Sequence, residues 1–205
     1  MARGSETRTR IMDIAEAAIL QKGFGGTSID EIIAEAGLTK GGFFYHFPDK
    51  GALAKALLER YREQEDAMLD DLFARAAELH DDPLHAFLIG LKLFAELMEE
   101  LETTNPGCLL ATYTYAERLF DNEIHALNRE IVLGWRRRFR TALDQIATIY
   151  PPRDPVDLDA LADMVSTTVE GGIVMSRAVK EPGILPAQVM LLRSYIKLLF
   201  QPQIN

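Results

Sequence analysis

An all-α fold of about nine helices is what this chain predicts, and three observations predict it. Apolar residues recur at three- and four-residue spacing through segment after segment. No run alternates apolar and polar residues over strand length, and the helical runs are cut by short clusters of Gly, Pro, Asp and Asn. The 205 residues, 48% hydrophobic and 26% charged, suffice for a sizeable core in one or two domains.

The first helix is expected from Ser5 or Thr7 to Lys22, with Ile11, Ile14, Ala15, Ala18 and Ile19 inward and Gly23 as its stop. Thr27 and Ser28 are cap-type residues ahead of Ile29, Ile32, Ile33 and Ala36, and Glu31 stands where a capping box wants an acid. A second helix from about Ser28 to Ala36 follows. Gly37 is placed for a left-handed exit, and Thr39 two positions on can cap a third helix carrying Lys40 in its first turn. Two helices joined by so short a turn make a helix-turn-helix across Gly23 to Lys50, whose second helix is shaped to enter the DNA major groove.

Gly41 and Gly42 each cost that helix about 0.8 to 1 kcal/mol relative to Ala. Their lack of side chains lets backbone approach a flat partner such as a groove floor. Phe43, Phe44, Tyr45, His46 and Phe47 cannot all face one core; two or three anchor the helix, leaving Tyr45 and His46 with polar tips for phosphate oxygens. Asp49 then caps a fourth helix with Lys50 in its first turn, where the positive dipole end and an ammonium address the same backbone.

The segment from Arg8 to Leu53 resembles the N-terminal domain of the TetR family of bacterial transcriptional regulators. The resemblance rests on Arg10-Ile11, Gly23-Phe24, Thr27-Ser28-Ile29, the run from Ala36 to Gly41, and His46-Phe47 with Lys50 three residues on. It implies DNA contacts from Thr27, Ser28, Thr39, Lys40, Gly41, Tyr45, His46 and Lys50, with base-specific ones chiefly from Thr39 to Phe43, hence Gly42 and Phe43 as well. The family commonly has tyrosine where this chain has Phe44, which is therefore expected only to support, with Tyr45 taking the phosphate contact.

Beyond Asp49 the pattern stays helical to about Leu79, where His80, Asp81, Asp82 and Pro83 break it and Asp82 caps the next helix. Leu84 to Leu101 is apolar around more than half its circumference, as in a buried helix, and Thr103 to Gly107 form the next break. Helices follow over Cys108 to Phe120, Asn122 to Ile149, Val156 to Lys180 and Pro186 to Phe200. The division expected is a DNA-binding domain at 1–48 and a ligand-binding and dimerisation domain at 49–205.

The last two helices carry stripes of Leu161, Val165, Thr168, Gly172 and Met175, and of Val189, Leu192, Tyr195, Ile196 and Leu199. A helix-turn-helix reads two half-sites about 34 Å apart and needs a two-fold partner, so these stripes are assigned to a homodimer interface that Gly171-Gly172 helps to tighten. Phe87, Leu91, Phe94, Met98, Tyr113, Tyr115, Trp135, Phe139 and Met164 are candidates to line a small-molecule pocket, since large and flexible side chains adapt to ligands. Cys108 follows Pro106-Gly107 and is a candidate sensor thiol, or a small buried hydrophobe.

Net charge is −9, and residues 1–50 carry six Lys or Arg against seven acids. Even the expected DNA-binding domain is not basic, so its grip must rest on local groups, helix ends and dimeric avidity, and it should weaken with salt. Arg136, Arg137, Arg138 and Arg140 lie on several sides of a helix and read as a solvated face paired with acids such as Asp144. No βαβ unit, P-loop or Gly-x-Gly-x-x-Gly is present, and no His has a Glu three residues before it. No enzyme chemistry, cofactor or metal is therefore assigned, and His80, Asp81, Asp82 and His85 are read as a cap and solvated loop. The N-terminal MARGSETRTR lacks the apolar core of a signal peptide, and no apolar run approaches membrane length, so a cytoplasmic protein is expected. The expectation is a homodimeric repressor that leaves a pseudo-palindromic double-stranded operator on binding a small inducer. An activator of the same fold is the alternative, and a helical bundle without DNA function a more distant one.

Overall fold

The computed structural model describes residues 2–100 and 106–201, the first two in backbone only. Leu101 and the break at Thr103 to Asn105 lie outside the described residues. Among the described residues there are nine α-helices, one 3-10 turn and no strand. They are α1 (Ala2–Gly26), α2 (Ile29–Glu35), α3 (Lys40–His46), α4 (Lys50–Leu79), α5 (Pro83–Glu99), α6 (Leu109–Tyr115), α7 (Asn122–Ile149), α8 (Leu158–Val179) and α9 (Ile184–Phe200), with the 3-10 turn at Glu117–Leu119.

The chain forms two compact units, Met1–Glu65 with Cys108–Ile131, and Asp66–Gly107 with Val132–Asn205. The unit that holds the helix-turn-helix is thus larger than residues 1–48, because α6 packs on α1. Its aromatic centre joins the two: Phe24 lies 5.7 Å from Tyr113 and 4.5 Å from Phe120, and Tyr113 stacks on Phe120 at 4.5 Å. The Tyr113 hydroxyl donates to the Ala54 carbonyl at 3.0 Å, fastening α6 to α4. Burial, with the charge of Glu16 behind it, pushes that phenol far above its ordinary pKa, so it is a permanent donor. Arg60 on α4 grips α1 through Asp13 and Glu16, each at 2.6 Å.

In the other unit α9 packs on both α5 and α8. Gly90 is required on α5 because a Cβ there would sit 2.5 Å from the Phe73 ring, and Gly172 on α8 because one would sit 2.8 Å from Leu185 Cδ1. The buried Ser176 hydroxyl accepts the Leu185 N–H at 3.1 Å, closing the turn from α8 into α9. The arginines of α7 pair as expected of a solvated face: Arg136 with Asp163 at 2.6 Å, Arg138 with Asp70 at 2.6 Å and Arg140 with Asp144 at 2.9 Å and Asp159 at 2.8 Å. No described helix is long and apolar enough to cross a membrane.

Gly23 (φ 81°, ψ 162°) leaves the helical region as its place at the expected stop requires, and a short helical turn to Gly26 follows the kink. Other boundaries differ from the sequence reading: α8 begins at Leu158 and α9 at Ile184. α6 ends at Tyr115, seven residues in, because Ala116 leaves the helical region (φ −105°, ψ 22°).

Candidate nucleic-acid interface

The helix-turn-helix is held by short local contacts. Ser28 Oγ accepts the Glu31 N–H at 3.2 Å to cap α2, and Thr39 Oγ1 accepts the Gly42 N–H at 3.1 Å to cap α3. Gly37 takes φ +62°, the left-handed exit that makes so tight a turn possible. Glu31 does not complete a capping box: its carboxylate pairs with Lys22, whose hydrogen bond holds that carboxyl below its ordinary pKa. The pair ties α1 to α2 instead.

On α3 the aromatic run divides by helical spacing. Phe43 and Phe47 are buried, Phe43 completely, and pack against each other at 6.0 Å. Lys40, Gly41, Phe44 and Tyr45, on adjoining turns, face solvent. Tyr45 is 82% exposed, its ring edge-on to His46 at 5.0 Å, and His46 is half-buried. Lys40 Nζ lies 3.0 Å from Asp30 Oδ1, with both side chains well exposed, so water and phosphate compete freely for it. A Cβ on Gly41 would touch only Thr39 Oγ1, at 4.0 Å, and one on Gly42 would meet the same atom at 3.4 Å. Nothing within the chain asks for glycine at 41.

Two assigned contacts are corrected by this geometry, and a third is partly engaged. Thr27 is 1% exposed and its hydroxyl donates to the Gly23 carbonyl at 3.0 Å, so it braces the α1 bend and has no surface for DNA. The Phe43 side chain is core. Lys50 donates to the Phe24 carbonyl at 2.6 Å and sits 4.1 Å over the Phe24 ring; burial lowers its pKa, and one of its three donors is engaged by the fold. Asp49 caps α4 as expected, accepting the Ala52 N–H at 2.7 Å. Phe44, assigned only support, stands on the outward face four residues from Lys40, a spacing that could have marked it.

A family profile described as "Bacterial regulatory proteins, tetR family" matches residues 11–57, which include this whole motif. The transcriptional regulator TtgR of Pseudomonas putida is 36% identical over 101 residues, 48% of this chain and 46% of its own length. The transcriptional regulator AcuR of Cereibacter sphaeroides is 27% identical over 171 residues, 80% of this chain and 73% of its own. A TetR transcriptional regulator from Chloroflexus aurantiacus superposes with TM-score 0.76 at 27% identity, over 96% of this chain and 97% of that one. Residues 11–57 thus carry the sequence signature of the TetR family. The chain spans about half the length of the first curated relatives it matches.

Outside the profile match, the geometry reassigns several residues. Of the stripes given to a dimer interface, Leu161, Val165, Gly172, Val189, Leu192, Ile196 and Leu199 are buried within the chain itself. They form the α5–α8–α9 core. Thr168 is half-buried, and Met175 and Tyr195 are exposed. Val174 and Val179 on α8 are exposed as well, and on α9 Leu191 and Leu198 are exposed on the same face as Tyr195. Helical periodicity reveals that an apolar face exists, not whether its partner lies in the same chain.

The pocket candidates also separate. Phe87 and Phe139 meet edge to face at 6.4 Å with Phe73 between 5.6 and 6.3 Å from each, and Leu91 and Phe94 are buried with them in the second unit. Met98 and Trp135 are half-buried there and Met164 is exposed. Tyr113 belongs to the core of the first unit, and Tyr115, 85% exposed, lines no interior. Cys108 is half-buried at the N-cap of α6, its Sγ 3.7 Å from the Tyr61 hydroxyl.

Proposed function

We propose that the protein is a DNA-binding transcriptional regulator that reads a pseudo-palindromic operator as a homodimer. It acts as a repressor, released when a small molecule enters the helical interior of the second unit near Phe87, Leu91, Phe94, Met98, Trp135 and Phe139. One observation carries the DNA reading: α3, capped by Thr39, turns Lys40, Gly41 and Tyr45 outward, and Gly41 stands where the fold has no use for a glycine. A missing side chain at that place admits a groove floor against the backbone, while Lys40, Tyr45 and His46 offer donors to phosphates and base edges. Ser28 and Thr39 contribute their helix N-termini, whose free amides attract phosphate.

Dimerisation is supported by exposed apolar residues on α9, where Leu191, Tyr195 and Leu198 share a face, and on α8, where Val174, Met175 and Val179 are exposed, a surface that a two-fold copy would cover. The ligand exerts control only if it binds one arrangement of the α4 pair better than the other, since equal affinity shifts nothing. Selection of bound genomic fragments, followed by fluorescence anisotropy at about 50 and 200 mM salt, tests the DNA reading. Binding should weaken steeply with salt, and Lys40→Ala and Tyr45→Ala should each reduce affinity about tenfold or more with folding intact. A chain that retains no fragment at low salt is not a DNA-binding regulator.

A further inference from the structure

Between Leu79, the last residue of α4, and Pro83, the first of α5, stand His80, Asp81 and Asp82, with His85 in the first turn of α5. Spacing alone made this a cap and a loop. The geometry adds convergence. His80 Nδ1 accepts the Asp82 backbone N–H at 3.1 Å, and His85 Nδ1 lies 2.7 Å from Asp82 Oδ1. The two imidazoles stack, centroids 4.6 Å apart and 15° from parallel. One ligand atom from each of His80, Asp82 and His85 lies within 4.8 Å of the other two.

We propose that His80, Asp82 and His85 form a binding site for one divalent ion of the zinc, nickel or copper class, with water completing its shell. Two donors on such an ion, at about 2.0 to 2.1 Å each, stand roughly 3.3 to 4.2 Å apart, so ring movements of about an ångström bring the three onto it. Both histidines are exposed, so each ring can turn once its present Nδ1 bond to Asp82 is released. Two imidazoles with one carboxylate select borderline transition metals over magnesium or calcium, which want oxygen donors.

The carboxylate is already fixed and ionised. Its Oδ1 accepts the His85 N–H at 2.9 Å and its Oδ2 accepts the Tyr150 hydroxyl at 2.6 Å. Burial works to raise its pKa, but the bonds from Tyr150 and His85 outweigh this and hold it at about 2. Tyr150 therefore plays the orienting part that partners of ligating carboxylates play in metal sites. The ion takes the place of the proton between His85 Nδ1 and Asp82 Oδ1. The positive end of the α5 dipole opposes a cation here, and the negative end of α4, which terminates at the same corner, offsets it. Exposed Asp81 adds a further negative charge nearby. An ion so held would staple the end of α4 to the start of α5.

The test is a zinc titration of chelator-stripped protein, free of any histidine tag, against a competing chromophoric chelator. One ion per chain should bind with a Kd of about 100 μM or tighter. His80→Ala and His85→Ala should each weaken it about tenfold or more, as should Asp82→Asn, which keeps an oxygen for the cap and removes the charge. His125→Ala should change nothing. Binding weaker than about 100 μM, or the same affinity in the His80→Ala/His85→Ala double variant, overturns the site. Circular dichroism of each variant separates loss of ligand from loss of fold, and both histidines are exposed enough that the fold should hold.

Discussion

The outward faces of α3 and of the α8–α9 pair differ in kind. α3 turns Lys40, Gly41, Phe44 and Tyr45 to solvent over a fully buried Phe43, whereas α8 and α9 turn out Val174, Met175, Leu191, Tyr195 and Leu198 over an equally well buried core. An ammonium, a phenol and bare backbone suit a polyanion with flat-floored grooves. Branched and thioether side chains suit another apolar surface. The architecture behind the two faces is alike, so what distinguishes their partners is the chemistry of a few outward residues, and substitutions on each side of each face should separate fold from recognition.

The largest effect should come from behind α3. Phe43→Ala empties a site with no exposure and should cost about 3 to 5 kcal/mol. Its neighbour two residues on, Tyr45→Ala, should change stability by no more than about 0.5 kcal/mol while weakening operator binding. Denaturant unfolding of the two variants side by side checks this, and equal stability losses would mean that the inner and outer faces of α3 are wrongly divided.

Next in size is the loss of self-association when Leu191→Glu and Leu198→Glu are combined. Burying four carboxylates in a two-fold apolar contact should weaken the dimer at least about a hundredfold, roughly 2.7 kcal/mol. Both residues are exposed in the single chain, so helical content should be unchanged. Sedimentation across a concentration series reads the outcome. A dimer that survives the double substitution assembles through some other face. Thr39→Ala is smaller: loss of the 3.1 Å bond to the Gly42 N–H should cost about 1 kcal/mol, seen as a lowered melting temperature.

How far each face could be read from sequence follows from where its determinants lie. The turn of the helix-turn-helix depends on Ser28, Gly37 and Thr39, each acting on a backbone group within five residues, and all three were legible in order. So were the end of α4 at Leu79 and both ends of α7, where Asp and Pro punctuate the chain. The apolar stripes of α8 and α9 were equally visible, but Leu161, Val189 and Ile196 turned out to face their own chain. That choice depends on tertiary packing, to which a period of 3.6 is blind. Thr27 failed for the same reason: a hydroxyl apt for phosphate is buried and used up by the carbonyl of Gly23.

Gly41→Ala should have the smallest effect on stability and is the sharpest test of the contrast, because its two effects should carry opposite signs. The residue lies within α3 without a positive φ, and an added Cβ meets nothing closer than Thr39 Oγ1 at 4.0 Å. Alanine should therefore stabilise the unit by up to about 1 kcal/mol through the lower entropy of its unfolded chain. If α3 seats its backbone against a groove floor, the same methyl group holds the helix off the bases, and operator affinity should fall about tenfold or more. Unfolding and anisotropy on one preparation measure both. A more stable variant that binds as tightly as the parent would place the contact with DNA elsewhere on α3, at Lys40 and Tyr45 alone, and would leave Gly41 without any role in fold or recognition.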